Sequence, residues 1–522
     1  MSRVTATCLV QLNQPTGVEM NAYLVLDEKL TRQDIKLKTL SKYVEQHPTG
    51  WKKRRELAEL LYAMGNWQQA VEEYRQVLQR QPQLIDVKLL LGKILQLMGK
   101  ETEAIAVYET AKSLSENEAV GHHINGLIAV CRRCIEQAAV SFEQATLLEP
   151  ENTAHWLALG FIYLEKEAPI AALQAFDTVL QLNPNEVVAN SHSYDALMML
   201  GNFQEAEQRL QRVLEVFPQD LRSLKLLADS RCGTGLVQGE EGKRTKQMIQ
   251  TMLRIAPNAA YVQDSLAQYH LFRGEWKKGV AVLQQFVEQH PLNLGGWYFY
   301  GRCLFRTGNS IAAAEAMLKA HGLYPNDGEI YRALCEILPV AGRGDELTPL
   351  VEQMLVQFPE RWSVWATAGR VLVEHFQEME RGCALSARGM QLQPQLADAW
   401  LGHGRVLALA GRHREAVDVL EQGWQLLLEG GGGLHSVPAA VWLGESYRVL
   451  GEEEKCRGWL EKGCVGALEL MSFNPSVAHY WCGRALSELG DVGGAVQNYR
   501  NALSRHLFYP ARGEVKEDVE RL

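Results

Sequence analysis

Between Thr153 and Pro184, apolar residues recur at intervals of three to four in two successive runs. Trp156, Leu159, Gly160 and Tyr163 share one face in the first run. Ala172, Phe176 and Val179 share one face in the second, and Pro184 ends it. This spacing predicts two amphipathic helices joined by a short turn. The pattern then recurs along the chain. Pro48, Pro82, Pro150, Pro184 and Pro218 fall on a 34-residue grid, with Glu116 at the empty mark. The grid resumes at Pro257, Pro291, Pro325 and Pro359, then continues at Pro394, Pro475 and Pro510 with spacings that include 35. A fixed period of this size marks stacked supersecondary units.

Within each period the small and large positions also repeat. A glycine sits inside the first predicted helix at Gly92, Gly126, Gly160, Gly301, Gly369, Gly404, Gly444 and Gly483. Such a glycine costs roughly 1 kcal/mol against alanine, so close approach of the paired helix is the expected reason. A second glycine seven residues later, as at Gly308 or Gly411, marks the turn. Then comes a small residue such as Ala104, Ala138 or Ala172, and four positions on a bulky one such as Tyr108, Phe142 or Phe176. Small against large across a helix pair is what interdigitated packing requires.

These residues, with the closing proline every 34, resemble the tetratricopeptide repeat over about residues 51–510. The resemblance implies an all-α fold, a right-handed superhelical solenoid of about thirteen antiparallel helix pairs. The pairs are expected to start near Trp51, Ile85, Ala119, Thr153, Val187, Leu221, Ala260, Leu294, Gly328, Trp362, Ala397, Val437 and Ser476. Residues 1–30 fall outside the motif, and 31–50 read as an N-terminal capping helix. The array then runs over 51–429, with a lengthened turn at 231–243. Residues 430–436 read as a Gly-rich hinge, 437–510 as further repeats and 511–522 as a charged tail.

Composition narrows the function classes. The net charge of −9 gives no general electrostatic footprint for nucleic acid or anionic membrane. No apolar run reaches the roughly 18 residues a membrane span needs. The N-terminus is a poor signal peptide, and the ten cysteines form no disulfide framework. A cytoplasmic protein with reduced thiols is expected, with no nucleic-acid partner and no membrane insertion.

The motifs that resemble chemical sites fail on their spacing. GEEGKR at 239–244 has Val237 where a phosphate loop needs its first glycine, and Arg244 where it needs Ser or Thr. His122, His123, Cys131 and Cys134 look like a metal set, but His123 and Cys134 would lie about 16 Å apart along a helix. No cofactor, metal or catalytic residue is expected, and repeats leave no room for a separate catalytic domain. Trp156, Trp297, Trp365 and Trp400 occupy the fourth position of their repeats and are expected in the core.

In the resembled family the concave groove is lined by positions 2, 5, 9, 12 and 13 of the first helix. Projected here, these give an apolar lining that includes Val120, His123, Leu127, Val130, Leu157, Phe161, Leu164, Val188, Met198, Met199, Tyr261, Leu271 and Phe272. Later repeats place Arg302, Arg370, Arg405 and Arg484 after the helix glycine. Arg370 and Arg484 have Glu374 and Glu488 at i+4, an intramolecular pairing. Arg302, Arg306 and Arg332, together with Arg405, are the candidate contacts for an acidic segment. The function expected is a non-catalytic protein–protein adaptor or scaffold, holding extended or helical partner segments, acidic toward the C-terminal half. The alternatives are a constitutive structural subunit of a large assembly and, further off, an enzyme with a site between repeats.

Overall fold

The computed structural model describes residues 28–63, 67–98, 100–257, 259–325, 327–430, 436–472, 474–505 and 512–522. The described residues form α-helices, with one 3₁₀ turn at Gly344–Glu346 and no strand. A lone helix, Glu28–Gln46, precedes thirteen helix pairs, from Trp51–Ala63 with Trp67–Arg80 to Pro475–Leu489 with Val492–Ser504. The expected start of every pair lies within one residue of a helix start. The expected non-repeat residues 1–27 and the glycine run 431–433 lie outside the described residues.

The helix glycines confirm the reason inferred for them. A Cβ on Gly92, Gly126 or Gly160 would fall 2.3, 2.6 or 2.5 Å from the ring of Tyr108, Phe142 or Phe176 in the paired helix. In later repeats the same place is closed by Leu420 against Gly404 and Leu460 against Gly444, each at 2.6 Å. Turn glycines such as Gly201, Gly308 and Gly411 have positive φ. Arg133, Glu167 and Gln377 adopt the same left-handed conformation at equivalent turns, without the freedom glycine has there.

The fourth-position tryptophans depart from expectation. Trp156, Trp297, Trp365 and Trp400 are half-buried, not enclosed. Each indole Nε1 donates to the carbonyl of the proline six residues earlier (Pro150, Pro291, Pro359 and Pro394) at 2.8, 2.8, 2.9 and 2.8 Å. The ring thus packs while its N–H ties the helix start to the preceding turn. The lengthened turn expected at 231–243 also resolves differently. The first helix runs to Gly233, and Gly239–Ile255 is a 17-residue second helix, so GEEGK opens a helix and only 234–238 connect. The charged tail contains a helix, Arg512–Arg521, whose Val515 is fully buried.

Two compact units divide the chain. One holds the described residues up to Leu197 together with Glu205–Leu224; the other holds Met198–Gln204 and Lys225–Leu522. In the second unit consecutive first helices approach closely through small residues. A Cβ on Gly295 would lie 3.2 Å from that of Ala260, and one on Gly402 would lie 3.5 Å from that of Ala366. Among the described residues no helix is long and apolar enough to cross a membrane.

Candidate functional site

The inner positions of the first helices differ between the units. In the first unit Val120, His123, Leu127, Val130, Leu157 and Phe161 are all half-buried and follow one another through the third and fourth repeats. Phe161 sits edge-on to Phe176 at 5.8 Å and to His192 at 4.7 Å. Leu127 packs partly against the cluster of Ala129, Phe142 and Leu159. Two lining candidates of this unit depart from this: Val188 is buried, and so, fully, is Leu164. Leu164 lies four residues after Gly160, on the face turned to the paired helix, and so belongs to the core and not to the lining.

Polar groups interlock the same repeats. His123 Nδ1 meets His155 Nδ1 at 3.0 Å, and His155 Nε2 reaches Glu149 at 3.1 Å. Burial, then His155, pushes His123 down to about 4. Hydrogen bonds from Asn152, Asn117 and His155 hold Glu149 down at about 2. Cys134 instead stands at the start of the next helix, with its sulfur 3.6 Å from the Arg132 carbonyl. The inner face of the unit ends in an ion pair between Arg222 and Asp195, both buried. His192 stands 3.3 Å from Asp195 and is pushed down to about 4 by burial and by Arg222.

In the second unit the lining is a ladder of opposite charges. Lys225 meets Asp229 at 2.7 Å, and Asp229 accepts from Ser265 at 2.8 Å. Arg332 pairs with Glu329 at 3.0 Å and reaches Ser363 at 3.3 Å. Arg370 bridges Glu336 and Glu374, and Arg405 reaches Glu374 at 3.3 Å with its guanidinium 5.2 Å over Trp442. Burial pushes Glu374 up, but Arg370 and Arg405 outweigh it and hold the carboxyl below its ordinary value. Arg484 pairs with Glu445, at 2.5 and 3.0 Å, and Arg448 takes Glu488. The i+4 partner expected for Arg484 is therefore engaged elsewhere.

The candidate residues of this unit take their places in that ladder. Tyr261, Phe272 and Met198 are half-buried. Arg302 lies 5.5 Å over the Tyr298 ring, within electrostatic reach of Asp264 and Glu329. Arg302 and Arg306 line a cavity of about 10 Å³ with Asp264, Gln268 and Leu271, room for one water at most. The carboxylates near Arg302, Arg332 and Arg405 remove the physical ground for expecting an acidic ligand there: it would have to displace partners already in hydrogen-bond or electrostatic reach. Sequence reading missed Asp195, Asp229, Asp264 and Glu445. Their signal was their own occupancy of positions 5 and 9, which went unweighed beside the arginines.

Models of the tetratricopeptide repeat match residues 39–120 and 163–229, 265–328, and 397–422. The chain is similar to anaphase-promoting complex subunit 7 of Arabidopsis thaliana, 22% identical over 278 residues, 47% of this chain and 49% of that protein. It is also similar to cilia- and flagella-associated protein 70 of Homo sapiens, 32% identical over 111 residues, 21% of this chain and 10% of that protein. The chain spans about half, or less, of the length of the curated relatives it matches. A solved structure, the crystal structure of APC/C hetero-tetramer Cut9-Hcn1, aligns over 95% of this chain and 94% of that one, with 13% identity and a TM-score of 0.45.

Proposed function

Because the chain belongs to the tetratricopeptide repeat family, we propose that it is a protein–protein interaction scaffold that holds a partner segment against the inner faces of its first unit. The observation that carries this reading is the strip of half-buried Val120, Leu127, Leu157 and Phe161. Aliphatic and aromatic groups left partly open over two successive repeats offer anchors to an apolar segment. A helix presenting residues at i, i+3 and i+4 fits such anchors, as does an extended segment with alternating apolar residues. The reading carries no catalytic step, and it takes the protein as cytoplasmic, a reducing setting that suits cysteines scattered without a framework.

A second reading, a constitutive subunit of a large assembly, is favoured by one relative's printed name, a subunit of the anaphase-promoting complex. Affinity purification of the full chain from its native cells, followed by mass spectrometry, separates the two. Substoichiometric partners lost on replacing Leu157 and Phe161 with Asp support the groove. Fixed stoichiometry that survives the same replacements supports the subunit reading and sinks the groove.

A further inference from the structure

Two thiols from consecutive helices come together in the second unit. Cys464 lies in the helix Glu453–Leu470 and Cys482 in the helix Pro475–Leu489. The helices run antiparallel and are joined by only 471–474. Cys464 stands six residues before the end of the first, and Cys482 seven residues after the start of the second, so both sit at about the same level. Both belong to one apolar cluster with Leu460, Tyr480 and Tyr499, and both are free. Cys482 is buried at 8% exposure, whereas Cys464 is half-open.

We propose that Cys464 and Cys482 are a redox pair that closes to a disulfide on oxidation and staples the twelfth repeat to the thirteenth. The side chains hydrogen-bond to one another: the Cys464 thiol keeps its proton and is raised, chiefly by that bond, while Cys482 is lowered by it. An external disulfide such as oxidised glutathione reaches the more open Cys464. The Cys464 proton passes to the Cys482 thiolate as the Cys464 sulfur attacks one glutathione sulfur; the S–S bond breaks and one glutathione thiolate leaves. Cys482, giving that proton to solvent, then attacks the Cys464 sulfur and expels the second glutathione thiolate. Two electrons pass from the protein thiols to the glutathione pair, and the released thiolates take up two protons. Cys131 and Cys134, the one CxxC in the sequence, make no such pair: Cys131 is buried at a helix end and its thiol is pushed up to about 11 by burial. Crosslinking by redox state suits a reducing compartment, where such bonds are transient and sensing, not structural.

No lysine or arginine lies between Cys464 and Cys482, so trypsin releases Gly463–Arg484 with both cysteines in one peptide. The full chain is held in oxidised glutathione, quenched with iodoacetamide, digested without reductant and weighed by mass spectrometry. The expected result is that Gly463–Arg484 loses two hydrogens and takes up no iodoacetamide, and that prior dithiothreitol restores two alkylations. Cys464→Ser and Cys482→Ser should each leave the peptide open, and Cys131→Ser should change nothing. A Gly463–Arg484 peptide that stays doubly alkylated, or carries glutathione without closing, overturns the proposal. The wild-type measurement decides it even where a variant misfolds.

Discussion

The inner faces of the two units use the same helix positions in opposite ways. In the first, positions 2, 5 and 9 of the third and fourth repeats carry Val120, Leu127, Leu157 and Phe161, left half-open. In the second, the same positions carry Asp229, Glu329, Glu336, Arg370, Arg405, Glu445 and Arg484, and each is bound to a neighbour. Position in the repeat therefore does not by itself make a contact surface. The aliphatic and aromatic residues at the inner positions of the third and fourth repeats stay partly open, while charged ones are drawn into pairs, because a buried charge is costly unless paired. The close approach of first helices in the second unit, through Gly295 and Gly402, strengthens that demand.

The largest expected effect tests the ladder. Arg370→Met takes the guanidinium from Glu336 and leaves Glu374 to Arg405, and loss of one partner from a buried ion network costs about 3–5 kcal/mol. Urea unfolding followed by circular dichroism should show a destabilised second unit, while partner capture by the first is retained. Capture lost together with stability would move the binding surface into the ladder. Next comes the strip. Replacing Leu157 and Phe161 with Asp should weaken capture by more than about 100-fold, or about 2.7 kcal/mol, with helical content unchanged.

Acid should act on both units alike. His123 and His192 in the first and His403 in the second are held down at about 4, each chiefly by burial. The unfolded chain takes up protons below its ordinary value of about 6.5, before the folded one does, so stability is full above that pH and falls as pH drops toward 4. Glu186 and Asp220, raised by burial, and Asp327, raised by burial to about 6, work the other way and blunt the fall. A net fall in stability between about pH 6.5 and about pH 5 is expected. Calorimetry that found only one unit responding would show that burial of histidine is not shared. The smallest effect should follow Arg332→Gln: Glu329 and Ser363 already hold that guanidinium, so capture should change less than about threefold, within 0.7 kcal/mol. A larger drop in titration calorimetry would reinstate Arg332 as a contact.

The architecture was legible because its determinants are local and periodic. Gly160 and Phe176 are 16 residues apart in one repeat, and the proline grid fixes where each pair begins. The lining was legible only in part. Sequence reading found Arg370 with Glu374 at i+4, a neighbour on one helix, but not Glu336, a full repeat upstream. It paired Arg484 with Glu488, whereas the closer partner across the stack is Glu445. Leu164 was assigned to the lining by its position number, though its place beside the Gly160 face turns it inward. The thiol pair was hidden for the same reason: Cys464 and Cys482 meet only when two helices fold back on one another.

The glycine-against-ring contact has a bearing on how such a chain grows. Gly92 with Tyr108, Gly126 with Phe142 and Gly160 with Phe176 each lie within a single repeat. A copied repeat therefore arrives with its own internal fastening. The ion pairs behave otherwise. Arg370 with Glu336, Arg405 with Glu374 and Arg484 with Glu445 each join one repeat to the next. Shuffling those repeats would strand charges of one sign together. Gain of repeats by copying is thus cheap where apolar packing alone joins them, while paired charges, as along the second unit and between Asp195 and Arg222 in the first, write the order of the repeats into the chain.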